Sequence, residues 1–177
     1  LFASQERPAA TTRAGDRRPA HARQRFQAAQ PKMLVLTPTR ELALQVTAAT
    51  EKYGRQLHHL RAVAILGGMP YPKQMELLGR NPEILVATPG RLIDHMSSGK
   101  IDFSQLQILV LDEADRMLDM GFIEDIERIV AATPASRQTL LFSATLDGTV
   151  GELAQRMTRT ALRLQVDAVS ARHDNIE

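Results

Sequence analysis

The 177-residue sequence contains no cysteine and no tryptophan, and aromatic residues make up only 4% of it. Without cysteine the chain has neither disulfides nor thiolate metal ligands, and scarce aromatic rings disfavour binding by ring stacking. No apolar run approaches the roughly 20 residues that span a bilayer, and no signal-peptide pattern opens the sequence. These absences predict a cytoplasmic protein that has no membrane partner.

Positive charge is concentrated at the beginning of the chain. Residues 1–30 carry six arginines against two acidic residues, a net charge of +4, whereas the whole chain carries only +2. Phe26 is the single large apolar side chain of residues 4–30, too little to offset the entropy of ordering them. We predict a flexible, arginine-rich insertion over residues 1–30. It could contact a polyanion through nonspecific charge, but a solvated loop without a ligand is the favoured alternative.

After residue 30, short apolar runs alternate with amphipathic segments of helical periodicity. The runs are Met33–Leu36, Ala62–Leu66, Ile84–Ala87, Ile108–Leu111, Leu140–Phe142 and Leu162–Val166. Continuous apolar runs are typical of strands buried on both faces, so the pattern predicts an α/β fold with a parallel sheet and helices on both faces. We assign residues 31–167 to this domain and residues 168–177 to a linker.

Two carboxylates follow one of these runs, at Asp112 and Glu113. In an open parallel sheet, ligands bind beyond the carboxyl ends of the strands. Asp112 could hold Mg²⁺ through water, and Glu113 could polarise an attacking water in phosphoryl transfer. The alternative interpretation is a strand that runs into a helix N-terminus, where acidic residues are favourable without any catalytic role.

Two hydroxyls follow the next run, at Ser143 and Thr145. They could hydrogen-bond a carboxylate at the end of the neighbouring strand, such as Asp115. A helix N-cap formed by Thr145 or Asp147 is the alternative, and it is compatible with the first interpretation.

The remaining strand ends carry features suited to phosphate. They are Pro38, Thr39 and Arg40; Gly67 and Gly68; and Thr88, Gly90 and Arg91. Helix N-termini and glycine turns present free backbone N–H groups, to which each arginine adds a cation. Helix capping would explain one such site, but three at successive strand ends indicate the backbone of a nucleic acid.

The ordered set of motifs resembles that of DEAD-box ATP-dependent RNA helicases. It comprises residues 38–43 (PTRELA), Gly67–Gly68, residues 88–91 (TPGR), residues 112–115 (DEAD) and residues 143–145 (SAT). Residues 115–122 are similar to bacterial members, of the RhlE-like group. The resemblance implies the N-terminal RecA-like domain of such an enzyme, which has the P-loop NTPase fold and uses ATP and Mg²⁺.

The resemblance also implies a role for each matched residue. Asp112 would hold Mg²⁺ through water, and Glu113 would activate the hydrolytic water. Asp115 would bond Ser143 and Thr145 and couple nucleotide state to closure on RNA. The RNA backbone would be held, with little sequence specificity, by Pro38, Thr39, Arg40, Gly68, Thr88, Gly90 and Arg91.

The family's phosphate-binding loop, G-x-x-x-x-G-K-[ST], does not occur in these 177 residues. Neither its upstream adenine-reading motif nor its second RecA-like domain is found. We therefore expect a fragment with an incomplete P-loop NTPase fold, inactive and weakly stable alone, whose partner is the second domain of the same chain. A non-catalytic RNA clamp and a helicase that acts on DNA are the alternatives. We also expect His58, His59 and His95 to be exposed.

Overall fold

The structure, a computed structural model, describes residues 26–57, 59–146 and 148–165. Its centre is a five-stranded sheet in the order β2-β3-β1-β4-β5, in which every neighbouring pair is parallel. The strands are β1 (Met33–Leu36), β2 (Ala62–Ile65), β3 (Ile84–Ala87), β4 (Ile108–Leu111) and β5 (Gln138–Leu141). Each of the first five predicted apolar runs therefore contains or overlaps a strand.

Six helices connect and cover these strands. They are α1 (Arg40–Tyr53), α2 (Tyr71–Leu78), α3 (Pro89–Ser97), α4 (Ala114–Asp119), α5 (Ile123–Ala131) and α6 (Gly148–Met157). Local sequence explains where several begin. Thr39 caps α1, proline occupies the first turn of α2 and α3, and Glu124 and Asp125 lie in the first turn of α5, where the helix dipole favours them.

Alternation along the strands divides the core into two layers. Leu34, Leu36 and their neighbours face a large cluster built with side chains of α2 to α6, whereas Val35 and Val86 face a smaller cluster with Ala43 and Val46 of α1. Because successive strand residues point to opposite sheet faces, helices must cover both. The predicted α/β architecture is confirmed.

All five strands end at the same level. The register pairs Ile65 with Ala87, Ala87 with Leu36, Leu36 with Leu111, and Leu111 with Leu141. The segment that follows each strand therefore leaves the sheet at one common edge, where strands lie about 4.8 Å apart. Every motif singled out in the sequence follows one of these five strands.

Two sequence-based expectations need correction. Residues 162–165 form no strand; Leu162 and Leu164 are 82% and 80% exposed, because no neighbouring strand pairs with them in the described part of the chain. Residues 26–30, expected within the flexible insertion, pack on the domain. Ala29 is buried and bridges Ile101, and the Lys100 ammonium lies over the Phe26 ring.

The remainder of the predicted insertion and the predicted linker lie outside the described residues, so the domain division stays a prediction. Among the residues that the structure describes, no helix is both long and apolar enough to cross a membrane.

Candidate functional site

The carboxylate pair lies where β4 ends. The Asp112 backbone N–H donates to the Leu36 carbonyl of β1 at 3.0 Å, which continues the sheet by one residue. Glu113 then adopts a left-handed backbone conformation, with φ of 50°, and α4 begins at the next residue. A non-glycine residue in this region carries strain of about 1–3 kcal/mol, which is concentrated at functional sites. The turn is therefore an unfavourable geometry that the neighbouring strands hold in place.

Burial and charge act together on Asp112. Burial raises the pKa of its carboxyl above the ordinary value, and the neighbouring Glu113 charge raises it further, while the Glu113 backbone N–H donates to Asp112 Oδ1 at 3.1 Å and opposes both effects. A carboxylate whose negative charge is unfavourable in the free protein gains from a cation beside it. Asp112 is therefore suited to a divalent metal ion.

Glu113 forms an ion pair with Arg116, one turn along α4, at 3.2 Å. Both side chains are largely exposed, and exposed pairs of this kind contribute little to stability. Breaking the pair costs little, so Glu113 is available for a different partner when a ligand enters.

Ser143 lies beside this turn. The Ala114 and Asp115 backbone N–H groups donate to the Phe142 carbonyl at 3.0 Å and to Ser143 Oγ at 3.2 Å. The structure thus brings Ser143 to Asp115, but through the backbone amide rather than the carboxylate. Thr145 is exposed, and no hydrogen bond reaches its hydroxyl from any residue that the structure describes.

These groups surround an open cavity of about 490 Å³. Its lining residues are Asp112, Glu113, Asp115, Arg116, Phe142, Ser143 and Ala144. No cluster of three or more His, Cys, Asp or Glu side chains that could hold a metal ion occurs in the described ranges. One or two carboxylates suffice for Mg²⁺, which keeps several waters and takes further ligands from substrate phosphates. The donor set therefore fits Mg²⁺ bound together with a phosphate ligand.

The other half of the edge carries the cationic turns. Pro38 is buried, and Thr39 Oγ1 accepts from the Leu42 backbone N–H at 3.3 Å as the cap of α1. Arg40 is exposed at the first position of that helix. Its guanidinium lies against Gly68, at the end of β2, so closely that a Cβ at this position would collide with it. Gly68 also has φ of 75°, a conformation in which glycine is the favoured residue.

The third turn lies between these two, at the end of β3. The Thr88 backbone N–H donates to the Ile65 carbonyl at 3.3 Å. The Thr88 side chain makes no capping hydrogen bond at the start of α3. Gly90 is exposed with open space around its Cα. Arg91 Nη1 donates to the Met69 carbonyl at 3.3 Å, beside the glycine pair. The three predicted phosphate-binding turns thus form one continuous surface along β1, β3 and β2.

A family model described as DEAD/DEAH box helicase matches residues 18–153, well over half of the chain. The chain belongs to the DEAD/DEAH box helicase family. It is 44% identical over 145 residues to the ATP-dependent RNA helicase DeaD of Escherichia coli (strain K12), an alignment that covers 81% of this chain and 23% of the relative. It is also 44% identical over 142 residues to the ATP-dependent RNA helicase DbpA of the same strain, with 80% of this chain and 31% of the relative covered.

Solved structures agree with this assignment. A hypothetical ATP-dependent RNA helicase from Sulfolobus tokodaii superposes with a TM-score of 0.69 and 44% identity, covering 73% of this chain and 39% of that one. The yeast DEAD-box splicing factor Prp28 gives a TM-score of 0.69 at 34% identity, with 74% and 31% covered. The chain spans about a quarter to a third of the length of the curated relatives cited. The finer assignment to the RhlE-like group stays a prediction.

Sequence reasoning missed two buried polar residues of this helicase domain. His95, expected to be exposed, has 0% exposure, and so does Gln74, which the motifs do not include. The prediction for His95 was wrong because it rested on residue type, whereas Leu92 and His95 are three apart and share the inward face of α3. His59 is exposed as expected, and His58 lies outside the described residues.

Proposed function

We propose that this chain is the part of an ATP-dependent RNA helicase that binds the RNA sugar-phosphate backbone and positions the water that cleaves ATP. A second RecA-like domain of the same protein would complete the ATPase site. The observation that carries the proposal is the common edge. The carboxylate turn after β4, the two arginine-bearing turns after β1 and β3, and the glycine turn after β2 lie side by side on one sheet.

On the RNA side, Arg40 and Arg91 supply positive charge, while the turns around Gly68 and Gly90 allow close approach of a backbone. These groups are guanidinium ions and glycine turns, which suit contacts to phosphate and sugar rather than to base edges. Contacts of this kind fix register without reading sequence. Low sequence specificity for RNA follows.

On the nucleotide side, Asp112 would hold Mg²⁺ and Glu113 would orient the attacking water. The metal ion, when bound, neutralises charge on the phosphates during transfer. Glu113 accepts the proton of the water from a position one residue beyond Asp112. The hydrogen bond from the Asp115 backbone N–H to Ser143 Oγ links this site to the segment that follows β5. A cytoplasmic location is part of the same proposal.

Substitution of Glu113 by Gln in the full-length protein tests the catalytic role. The amide keeps the shape but cannot accept a proton, and general-base contributions are typically 10²- to 10⁴-fold. RNA-stimulated phosphate release should therefore fall by at least about 100-fold, and displacement of a short RNA duplex should stop. RNA affinity should stay within about twofold, because Glu113 lies outside the cationic turns.

Glu124→Gln is the matched control, because Glu124 is exposed in the first turn of α5, away from the cavity. Retention of turnover by Glu113→Gln would refute the role assigned to this carboxylate. Competition between RNA and DNA oligonucleotides of one sequence would decide between an RNA and a DNA substrate.

A non-catalytic RNA clamp is the second candidate. It is favoured by one observation: the turns after β1, β3 and β2 form one continuous surface through contacts with one another. A clamp would bind RNA with the same affinity whether or not ATP is present and would release no phosphate.

A further inference from the structure

The Gly67–Gly68 turn is flanked by two backbone carbonyls, those of Leu66 and Met69, that accept hydrogen bonds. Leu66 precedes the glycine pair and Met69 follows it, and the Met69 N–H closes the turn on the Leu66 carbonyl at 3.4 Å. A glycine pair has no side chains with which to hold itself, and Gly68 occupies the left-handed region. Apart from this long backbone hydrogen bond, the contacts that hold the turn must therefore come from neighbouring elements.

One side chain reaches both ends. Gln74 of α2 is completely buried, and its Nε2 donates to the Leu66 carbonyl at 3.2 Å and to the Met69 carbonyl at 2.8 Å. Both hydrogens of the amide group are thus used on the two residues that flank the glycine pair. The buried Gln74 amide thus joins the two ends of the turn through hydrogen bonds.

His95 of α3 fixes the orientation of that amide. Its Nε2 lies 3.2 Å from Gln74 Oε1, and its ring stacks on Tyr71 with centroids 4.6 Å apart. Since Gln74 Nε2 is occupied as a donor, Gln74 Oε1 is left to accept, so His95 carries a proton on Nε2. His95 Nδ1 is buried without a partner among the described residues, which disfavours a second proton there.

The same helix also holds the turn directly. Arg91, one turn before His95 on α3, donates to the Met69 carbonyl at 3.3 Å. The turn is thus held at the Met69 carbonyl by Gln74 and Arg91 together, while Arg40 lies across Gly68. Displacing Gln74 would therefore displace the surface on which the two cations converge.

We infer that Gln74 and His95 are positioning residues: the buried His95–Gln74 pair holds the Gly67–Gly68 turn in the shape that binds the RNA backbone. The inference rests on the proposed function, because it presupposes that the turn binds RNA. Neither side chain touches RNA itself, since both are buried.

The test is RNA affinity of the full-length protein, measured by fluorescence anisotropy with a labelled single-stranded oligouridine. Gln74→Glu places an acceptor against both carbonyls, and Gln74→Met keeps the volume but removes both donors. Each should weaken RNA binding by about tenfold, because buried acceptors lose their donors. His95→Phe should do the same, whereas His95→Gln can restore a donor and should stay within about threefold of the unmodified protein.

Salt dependence separates positioning from direct contact. Losing a phosphate contact lowers the slope of log K against log [salt], by about 0.7–0.9 for each contact. The Gln74 variants should keep the full slope at reduced affinity and raise KM for RNA with little change in kcat. The inference would be overturned if Gln74→Met bound RNA with an affinity within twofold of the unmodified protein. It would also be overturned if His95→Gln bound RNA as weakly as His95→Phe.

Arg40→Ala and Arg91→Ala distinguish failure of the positioning role of Gln74 and His95 from failure of the proposed function. If both arginine variants bind RNA normally, the RNA surface itself is wrongly placed and both conclusions fall. If they weaken binding and Gln74→Met does not, only the positioning role falls.

A measurement on the unmodified protein covers the case in which the variants do not fold. With ¹⁵N-labelled histidine, the His95 resonances at pH 7.5 should show a protonated Nε2 and an unprotonated Nδ1. The opposite tautomer would leave Nε2 as an acceptor facing Gln74 Oε1, force the amide to flip, and refute the arrangement.

Discussion

The two halves of the sheet edge differ in how completely they are built. In the clamp half, formed by β2, β3 and β1 with the turns after them, helices cover both faces and each turn is held by hydrogen bonds or packing from its neighbours. In the carboxylate half, formed by β4 and β5, one face is thinly covered and Phe142 is 55% exposed. The outer edges of β2 and β5 alike pair with no strand among the described residues, so the difference lies in how the faces are covered.

Burial decreases along one row of residues that crosses the sheet from the clamp half to the carboxylate half. Val86 and Val35 are buried at 0% and 6% exposure, whereas Val110 and Leu140, next in register, are only half-buried. Helix α1 covers Val86 and Val35 but does not extend over Leu140. The clamp half is therefore the better packed of the two, while the carboxylate half is more open to solvent.

The largest expected effect concerns stability along this row. Val86→Ala should lower the free energy of unfolding by about 2–3 kcal/mol, because it removes two buried carbons and leaves a cavity. Val110→Ala makes the same chemical change in the carboxylate half and should cost less than about 1 kcal/mol, since its site can relax toward solvent. Urea denaturation at constant m-value measures both, and equal losses would contradict the difference between the halves.

A smaller effect is expected at the glycine pair of the clamp half. Gly68→Ala places a side chain on a residue with φ of 75°, a backbone conformation that strains residues other than glycine, and its methyl group would push the Arg40 guanidinium aside. The substitution should therefore weaken RNA binding by roughly tenfold, equal to about 1.4 kcal/mol. Gly67→Ala is the control, because its Cβ would meet nothing within 4 Å. If both variants bind equally well, the turn is more adaptable than its contacts indicate.

Paired arginine variants separate the functions of the two halves. Arg40→Ala should lower RNA affinity several-fold and reduce the salt slope by about one contact, while ATP affinity stays unchanged. Arg116→Ala frees Glu113 from its ion pair and should change ATP turnover by less than about fivefold, because exposed pairs contribute at most about 1 kcal/mol. RNA binding that depends equally on both arginines would show that the RNA path extends over the carboxylate half.

Much of this arrangement could be predicted from the sequence, for identifiable reasons. Buried parallel strands need continuous apolar runs, so the strands of β1, β3 and β4 were predicted to the residue. Their parallel register then brings the residues after Leu36, Ala87 and Leu111 to one edge without further information. The convergence of the motifs was predictable because it depends on topology alone.

What could not be predicted depends on neighbours distant in sequence. The run that begins at Leu162 has strand-like composition, but a strand needs a partner, and the described residues offer none there. The bonding of Ser143 to an amide rather than a carboxylate depends on the strained turn at Glu113. Gln74 belongs to no motif, and only the fold places it between the glycine turn and α3.

The last effect expected is the contribution of one buried side chain of the clamp half, His95, to the pH dependence of stability. Burial lowers the pKa of His95 below its ordinary value; the Arg91 and Lys100 charges lower it further, and Asp94 opposes them. The unfolded chain therefore binds this proton at a higher pH than the folded chain, and stability falls as the pH decreases below about 6.5 toward the lowered pKa. The slope is at most about 1.4 kcal/mol per pH unit for one proton. His95→Gln should remove this slope from urea denaturation curves recorded between pH 5 and 7.5, whereas His59→Gln, at an exposed site, should retain it. A slope that is unchanged in His95→Gln would mean that groups other than His95 produce it, and the burial of a neutral His95 would then contribute no pH dependence to stability.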